Sequence, residues 1–91
     1  MKTNEALSVS DIRGGKGFRF DFKIRNGVLY FIRYKDGERE FARSNSVVFS
    51  LWEGFEVESR LRAAMSIFSG FNKSVLNAAL HLIRLYYETK S

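Results

Sequence analysis

Apolar and polar residues alternate with a period of two through most of residues 16–43, which read KGFRFDFKIRNGVLYFIRYKDGEREFAR. Asparagine–glycine at 26–27 and aspartate–glycine at 36–37 interrupt the alternation, and both dipeptides favour the two-residue type I′ turn of a β-hairpin. The pattern therefore predicts a meander of three antiparallel strands. The turns also fix the register of these strands, which pairs Arg25 with Val28 and Lys35 with Glu38.

Because successive side chains of a strand point to opposite sides, this register sorts the meander into two faces. One face is mostly apolar and is predicted to be the core; it carries Phe18, Phe20, Phe22, Ile24, Leu29, Phe31 and Ala42, with Arg33 opposite Glu40. The other face mixes basic and aromatic residues; it carries Arg19, Asp21, Lys23, Arg25, Val28, Tyr30, Ile32, Tyr34, Arg39, Phe41 and Arg43. The two compositions predict two tasks, packing for the first face and binding for the second.

A β-branched and aromatic run, VVFSLW at residues 47–52, follows a polar break at 44–46. This composition predicts a fourth strand. The apolar residues of the run also fit helical spacing, so a helix that runs without interruption from about residue 46 is the alternative.

Helical spacing begins after Gly54 and predicts a first helix. Its apolar face would carry Val57, Leu61, Ala64, Met65 and Phe68. Glu56 and Glu58 suit the first turn of this helix, where acidic side chains are favourable. Gly70 suits the position just after its C-terminal end.

A second helix is predicted from a cap at Asn72 or Ser74 to about Glu88. Its polar stripe is narrow and consists of Asn77, His81, Arg84 and Glu88. Two apolar rows fill the rest, one of Val75, Ala79, Leu82 and Tyr86 and one of Leu76, Leu80, Ile83 and Tyr87. Such an arc is wider than packing against one sheet face requires. Either the helix is wholly buried in its own chain or, as we favour, a second copy shares it in a homodimer through the C-terminal helices.

These elements predict an α+β fold, in which an antiparallel three- to four-stranded meander sheet is packed by two C-terminal helices. The 91 residues suffice for one domain with a modest core. Its expected parts are a flexible N-terminal arm at 1–15, the basic aromatic meander at 16–52 and the two helices at 56–89. A short edge segment is the alternative for residues 1–12. The basic loop at 13–17 is expected to be a hinge, since its glycines lack the spacing of a phosphate-binding loop.

The formal net charge of +5 is confined to one part of the chain. Residues 13–43 contain nine Lys or Arg and four Asp or Glu, whereas the remaining residues contain six of each. A one-sided basic region is typical of proteins that bind a polyanion. The alternative is a solvated basic face that has no partner.

Several classes of chemistry lack the residues that they need. The sequence has no cysteine and a single histidine, His81, so disulfides and thiol catalysis are excluded and no metal site is expected. Motifs for nucleophilic, acid–base or phosphate-loop chemistry are missing, so we expect a protein that is not an enzyme and needs no cofactor. With no long apolar run and no secretory leader, a cytoplasmic protein without membrane contact is expected.

The basic aromatic face has both features that a single-stranded nucleic acid requires, cations for its backbone and flat rings for its unstacked bases. Tyr30 and Tyr34 would lie about 13 Å apart on the central strand, with Phe41 across from Ile32 between them. The candidate binding residues are Arg19, Lys23, Arg25, Tyr30, Tyr34, Arg39, Phe41 and Arg43. The alternative is that the rings pack beneath a helix with arginines at its rim, although burying five basic residues would be costly. Non-catalytic binding of single-stranded DNA or RNA is therefore the favoured function.

The order of these segments resembles a known family. The run FKIRNGVLYFIRYKDGE, followed by NSVVFSLWEGF and a helix, is similar to the positive-coactivator/Whirly type of single-stranded DNA-binding protein over residues 18–68. The resemblance implies a small twisted sheet that binds single strands opposite its helix, and dimerisation through the helical side. The added helix at 72–88 and a third strand without a glycine-rich start depart from the family pattern.

A second resemblance implies a different function. The run VVFSL, followed by EVESRLRAAM and SGFNKSVLNAALHLIRLYYE, is similar to a ribbon-helix-helix repressor, which implies a regulator that binds double-stranded DNA. By that pattern Val48 and Ser50 would face bases, for which they are poor readers. A third possibility is a protein-interaction module that holds an acidic partner on the same basic face.

Overall fold

The computed structural model describes residues 7–35, 38–39 and 45–90, with only the backbone for 38, 39 and 90. In chain order the elements are β1 (Leu7–Arg13), β2 (Phe18–Arg25), β3 (Val28–Lys35), β4 (Glu38–Arg39), β5 (Asn45–Val48), α1 (Val57–Met65) and α2 (Lys73–Lys90). A 3₁₀ turn at Gly54–Glu56 precedes α1. The predicted α+β fold, an antiparallel sheet with two C-terminal helices, is confirmed.

The hairpin of β2 and β3 is the centre of the sheet. Its turn residues Asn26 and Gly27 have φ angles of 55° and 78°, as a type I′ turn requires. All eight residues of each strand are paired, and the predicted pair of Arg25 with Val28 is confirmed. Gly27 is needed for a second reason, because a Cβ at this position would lie 2.6 Å from the Cβ of Ser50.

Two short strands share the other edge of β3. β4 pairs with the end of β3, where the predicted pair of Lys35 with Glu38 is confirmed. β5 pairs with the start of β3, from Val28 opposite Val48 to Phe31 opposite Asn45. The strand that the sequence predicts at residues 47–52 is therefore β5, which begins earlier, at Asn45, and ends at Val48. The helical alternative for this segment is wrong.

The strand β1 corrects the expectation of a flexible arm for residues 7–13 and bears out the edge-segment alternative. It pairs with β2 in antiparallel fashion, and a β-bulge separates the pair Val9–Phe22 from the pair Ile12–Phe20. Asp11, within the bulge, has a φ angle of 67°. The extra residue turns Ile12 to the same side as Leu7 and Val9, so that all three pack against the core.

The two helices differ in how well their ends were predicted. α1 buries Val57, Leu61 and Met65, as its spacing predicts. It ends at Met65, earlier than the predicted stop at Gly70, because the chain turns after Ser66 and brings Phe68 edge-on to Phe31 at 5.0 Å. α2 starts as predicted, since the side chain of Asn72 accepts a hydrogen bond from the Val75 N–H at 3.0 Å.

The core lies between the helices and one face of the sheet. The sheet contributes the predicted apolar face, which is buried at Phe18, Phe20, Phe22, Ile24, Leu29 and Phe31. Arg33 is also buried on this face, where it donates a hydrogen bond to the Ser69 carbonyl at 2.9 Å. Both apolar rows of α2 are buried within the single chain except at Tyr86 and Tyr87. The width of the apolar arc is thus explained without a second copy.

The glycine loop between β1 and β2 is held to the loop between the helices. The Gly15 N–H donates to the Gly70 carbonyl at 2.8 Å, and the Gly14 N–H donates to the Phe18 carbonyl at 2.8 Å. Gly70 has a φ angle of 90°, and a Cβ there would collide with the Phe18 side chain. These contacts hold in place the loop that the sequence predicts to be a hinge.

Candidate functional site

The sheet face opposite the helices, which we call the open face, carries the candidate site. Its described side chains come from four strands: Ser8, Ser10, Arg13, Arg19, Asp21, Lys23, Arg25, Val28, Tyr30, Ile32, Tyr34, Ser46 and Val48. All are exposed or partly exposed, whereas the residues that alternate with them in β2 and β3 are buried. The open face therefore forms as predicted, and in the described part of the chain the tyrosines do not pack beneath a helix.

A groove of about 540 Å³ crosses β1, β2 and β3 on this face. Its lining residues are Ser8, Val9, Ser10, Asp21, Phe22, Lys23, Arg25, Tyr30, Phe31 and Ile32. Lys23 lies directly opposite Tyr30 on the neighbouring strand, and Arg25 lies opposite Val28. We call the part formed by Lys23, Arg25 and Tyr30 the cationic end.

Within the described part of the chain, neither cation of the cationic end forms an ion pair. Ion pairs among the described residues involve Arg19, Arg60 and Arg62 but neither Lys23 nor Arg25. Both side chains belong to exposed residues at the mouth of the groove. Their positive charge is therefore available to a ligand.

The other part of the open face, which we call the balanced end, contains Arg13, Arg19, Asp11, Asp21 and Tyr34. Arg19 Nη1 forms an ion pair with Asp11 Oδ1 at 2.9 Å. Asp21 Oδ1 accepts a hydrogen bond from the backbone N–H of Asp11 at 2.8 Å, which holds the bulge of β1 in place. Among the described side chains, the two arginines and two aspartates of this end have no net charge. Lys23 and Arg25 give the cationic end two positive charges, although Asp21 also lines its groove.

The candidate residues therefore divide into three groups. Lys23, Arg25 and Tyr30 are brought together at one groove. Arg19 and Tyr34 face each other across β2 and β3 at a smaller groove of about 250 Å³ with Ser10, Asp11 and Asp21. Arg39 is paired with Tyr34 through the backbone. Phe41 and Arg43 lie outside the described residues, and so does the predicted pairing of Phe41 with Ile32.

Serines of the open face escaped the sequence prediction. Ser8 lies opposite Lys23 and Ser46 lies opposite Tyr30, so each places a hydroxyl group beside a candidate binding residue. The period-two alternation of Leu7, Ser8 and Val9 was a signal for this strand, although it is short. Lys35 and Trp52, by contrast, do not extend the open face: Lys35 lies over the Phe18 ring at 4.7 Å, and Trp52 packs against the core.

Neither a metal site nor a membrane span emerges from the described residues. In these ranges no three His, Cys, Asp or Glu side chains cluster so as to hold a metal ion. No helix in the described part of the chain is both long and apolar enough to cross a membrane. A hydrogen bond from Arg60 lowers the pKa of Glu56, but this pair lies at the start of α1 and away from the open face.

Comparison of the chain with protein-family models, with curated proteins and with solved structures yields no match. The function is therefore inferred from the geometry and charge of the open face.

Proposed function

We propose that this protein binds single-stranded DNA or RNA at the cationic end of its open face, without catalysing a reaction. The observation that carries this proposal is the single groove that joins Lys23, Arg25 and Tyr30. Its volume of about 540 Å³ lies within the range of roughly 300–1,000 Å³ that is common for ligand sites.

The chemistry of the groove suits a nucleotide. Directly opposed residues of neighbouring strands have Cβ atoms about 5 Å apart, so a base stacked on Tyr30 would place its phosphate within reach of Lys23. Each such stack contributes roughly 1–3 kcal/mol to binding. Lys23 and Arg25 project from the same face of β2, separated by two residues or about 7 Å, which is close to the spacing of successive phosphates along a strand.

The half-buried ring of Tyr30 favours an unpaired base over a duplex or an acidic protein. Its flat side can stack only on a base that is free of its own neighbours, which a duplex does not offer. An acidic peptide would need the cations alone and would gain little from the ring. The aromatic residue therefore distinguishes this proposal from the other two.

Fluorescence anisotropy with a short labelled single strand tests the proposal directly. The logarithm of the association constant should fall with the logarithm of the salt concentration, with a slope of about −0.7 for each phosphate contacted. Tyr30→Ala should weaken binding by about 5- to 150-fold, whereas Tyr30→Phe, which keeps the ring, should bind nearly as well as the wild type. Lys73→Glu, at the start of α2, is the charge control.

Two results would contradict the proposal. One is binding that does not depend on salt, and the other is unchanged affinity in the double variant Tyr30→Ala with Tyr34→Ala. An unlabelled duplex that competes better than the single strand of the same sequence would favour the ribbon-helix-helix alternative.

A further inference from the structure

Large apolar side chains are exposed in the segment between β5 and α1. Phe55, in the 3₁₀ turn before α1, is 87% exposed, and Leu51 in the preceding turn is 84% exposed. The ring of Phe55 covers no buried residue and has no polar group. It therefore adds almost nothing to the folding free energy of a single chain. An exposed ring of this kind is typical of an interaction surface.

Phe55 is one of the residues that line a groove. The groove has a volume of about 230 Å³ and runs between the first turn of α1 and the C-terminal half of α2. Its floor is apolar and is formed by Val57, Leu80, Ile83 and Tyr87. Since a cavity of about 150 Å³ is enough to hold a benzene ring, this groove has room for one phenyl group.

The charges at this groove identify its occupant. One acidic residue, Glu58, and one basic residue, Arg84, line it, so its lining has both signs of charge. Glu58 also pairs with Arg62 of its own helix at 2.9 Å, but an exposed pair of this kind is worth at most about 1 kcal/mol. The whole chain has a net charge of +5, and an anionic partner would be attracted to the cationic end instead. A projecting ring, a groove of matching size and a balanced pair of charges make one patch self-complementary. Self-complementarity is what the interface of a two-fold dimer requires.

We propose that two copies of this protein associate about a two-fold axis through this patch, with Phe55 of each copy in the groove of the other. In this arrangement Glu58 of one copy faces Arg84 of the second, and the contact occurs twice. The inference does not depend on nucleic-acid binding. Its basis is the exposed ring of Phe55 and the groove, to which the apolar arc of α2 contributes only Leu80, Ile83 and Tyr87.

Sedimentation velocity over a range of protein concentrations tests the role of the ring. The wild type should show a concentration-dependent dimer. Phe55→Ala should weaken association by about 30-fold for each of the two rings removed, which leaves a monomer at ordinary concentrations. Ile67→Ala is the matched control, because Ile67 is 79% exposed and lies outside the groove, and it should dimerise like the wild type. Unchanged melting of the isolated monomers would show that Phe55→Ala is folded.

A charge exchange tests the two-fold geometry independently. Glu58→Arg and Arg84→Glu should each weaken the homodimer, because each places like charges together at both contacts. An equimolar mixture of the two variants should associate more tightly than either variant alone, since the mixed dimer regains an acid–base pair at both contacts. Only a second copy of this chain, docked in this orientation, gives this rescue.

Three results would overturn the proposal. The first is a wild-type protein that remains monomeric at a concentration of about 1 mM. The second is equal loss of dimer in Ile67→Ala and Phe55→Ala. The third is a mixture of the two charge variants that associates no better than its components.

Discussion

The two ends of the open face have the same kinds of residue but differ in what surrounds their cations. At the cationic end Lys23 and Arg25 form no ion pair with any described residue, and they border a groove with Tyr30. At the balanced end Arg19 is paired with Asp11, and Asp21 lies beside them. Counting basic residues along β2 treats the two ends alike. The bulge of β1 makes them different, because it brings Asp11 onto Arg19.

The comparison also predicts which end contributes more to the affinity. A phosphate that approaches Arg19 must compete with a carboxylate at 2.9 Å, whereas Lys23 forms no ion pair with a described residue. Exposed ion pairs are worth at most about 1 kcal/mol, so Arg19 is weakened as a ligand but not lost. The cationic end should therefore supply most of the affinity.

The largest expected effect comes from removing the cations of one end. Lys23→Ala with Arg25→Ala should weaken single-strand binding by about 100-fold or more, because each charge-assisted hydrogen bond contributes roughly 1.5–3 kcal/mol. Arg19→Ala should change the affinity by less than about threefold. Anisotropy titrations at one salt concentration measure both. If Arg19→Ala lost as much affinity as the double variant, the two ends would contribute equally to binding, which would contradict this prediction.

A smaller effect is expected in the salt dependence of binding. Lys23→Ala should lower the magnitude of the slope of log K against log salt by about 0.7, since one phosphate contact is lost. Arg19→Ala should leave the slope nearly unchanged, because Asp11 already serves as its counterion. Titrations at four or more salt concentrations give these slopes. Equal slopes for the two variants would mean that both cations contact phosphate.

The smallest effect, and the sharpest test, comes from releasing Arg19. Asp11→Asn removes the carboxylate but keeps a residue that tolerates the φ angle of 67° at the bulge. Freed from its ion pair, Arg19 should tighten binding by about two- to fivefold, which corresponds to the value of an exposed pair. The salt slope should steepen by about 0.7 at the same time. Weaker binding in this variant would indicate that the bulge itself, and not the charge of Asp11, shapes the site.

The sequence predicted the centre of the sheet because local chemistry determines it. The Asn26–Gly27 turn sets the register of β2 and β3, and the side-chain alternation then assigns each residue to a face. Asn72 is likewise a local signal, since its side chain caps the helix that follows it.

Features that depend on distant contacts escaped prediction. The apolar positions of β1 are Leu7, Val9 and Ile12, and their period of two is broken after Val9 because the bulge adds a residue. The ion pair of Asp11 with Arg19 depends on that bulge, so the weakening of Arg19 was also hidden. Gly70 was interpreted as a helix end. The structure shows that glycine is needed there because a Cβ would collide with the side chain of Phe18, more than 50 residues away in sequence.

The bond from the Gly15 amide to the Gly70 carbonyl gives one amide an unusual role in hydrogen exchange. Gly15 lies in a loop between two strands, where amides ordinarily exchange quickly. Its acceptor lies in the loop between α1 and α2, so this proton is released only when the helical layer separates from that end of the sheet. The exchange rate at Gly15 should therefore report the opening of the two layers, which also requires the bond from Arg33 to the neighbouring Ser69 carbonyl to break.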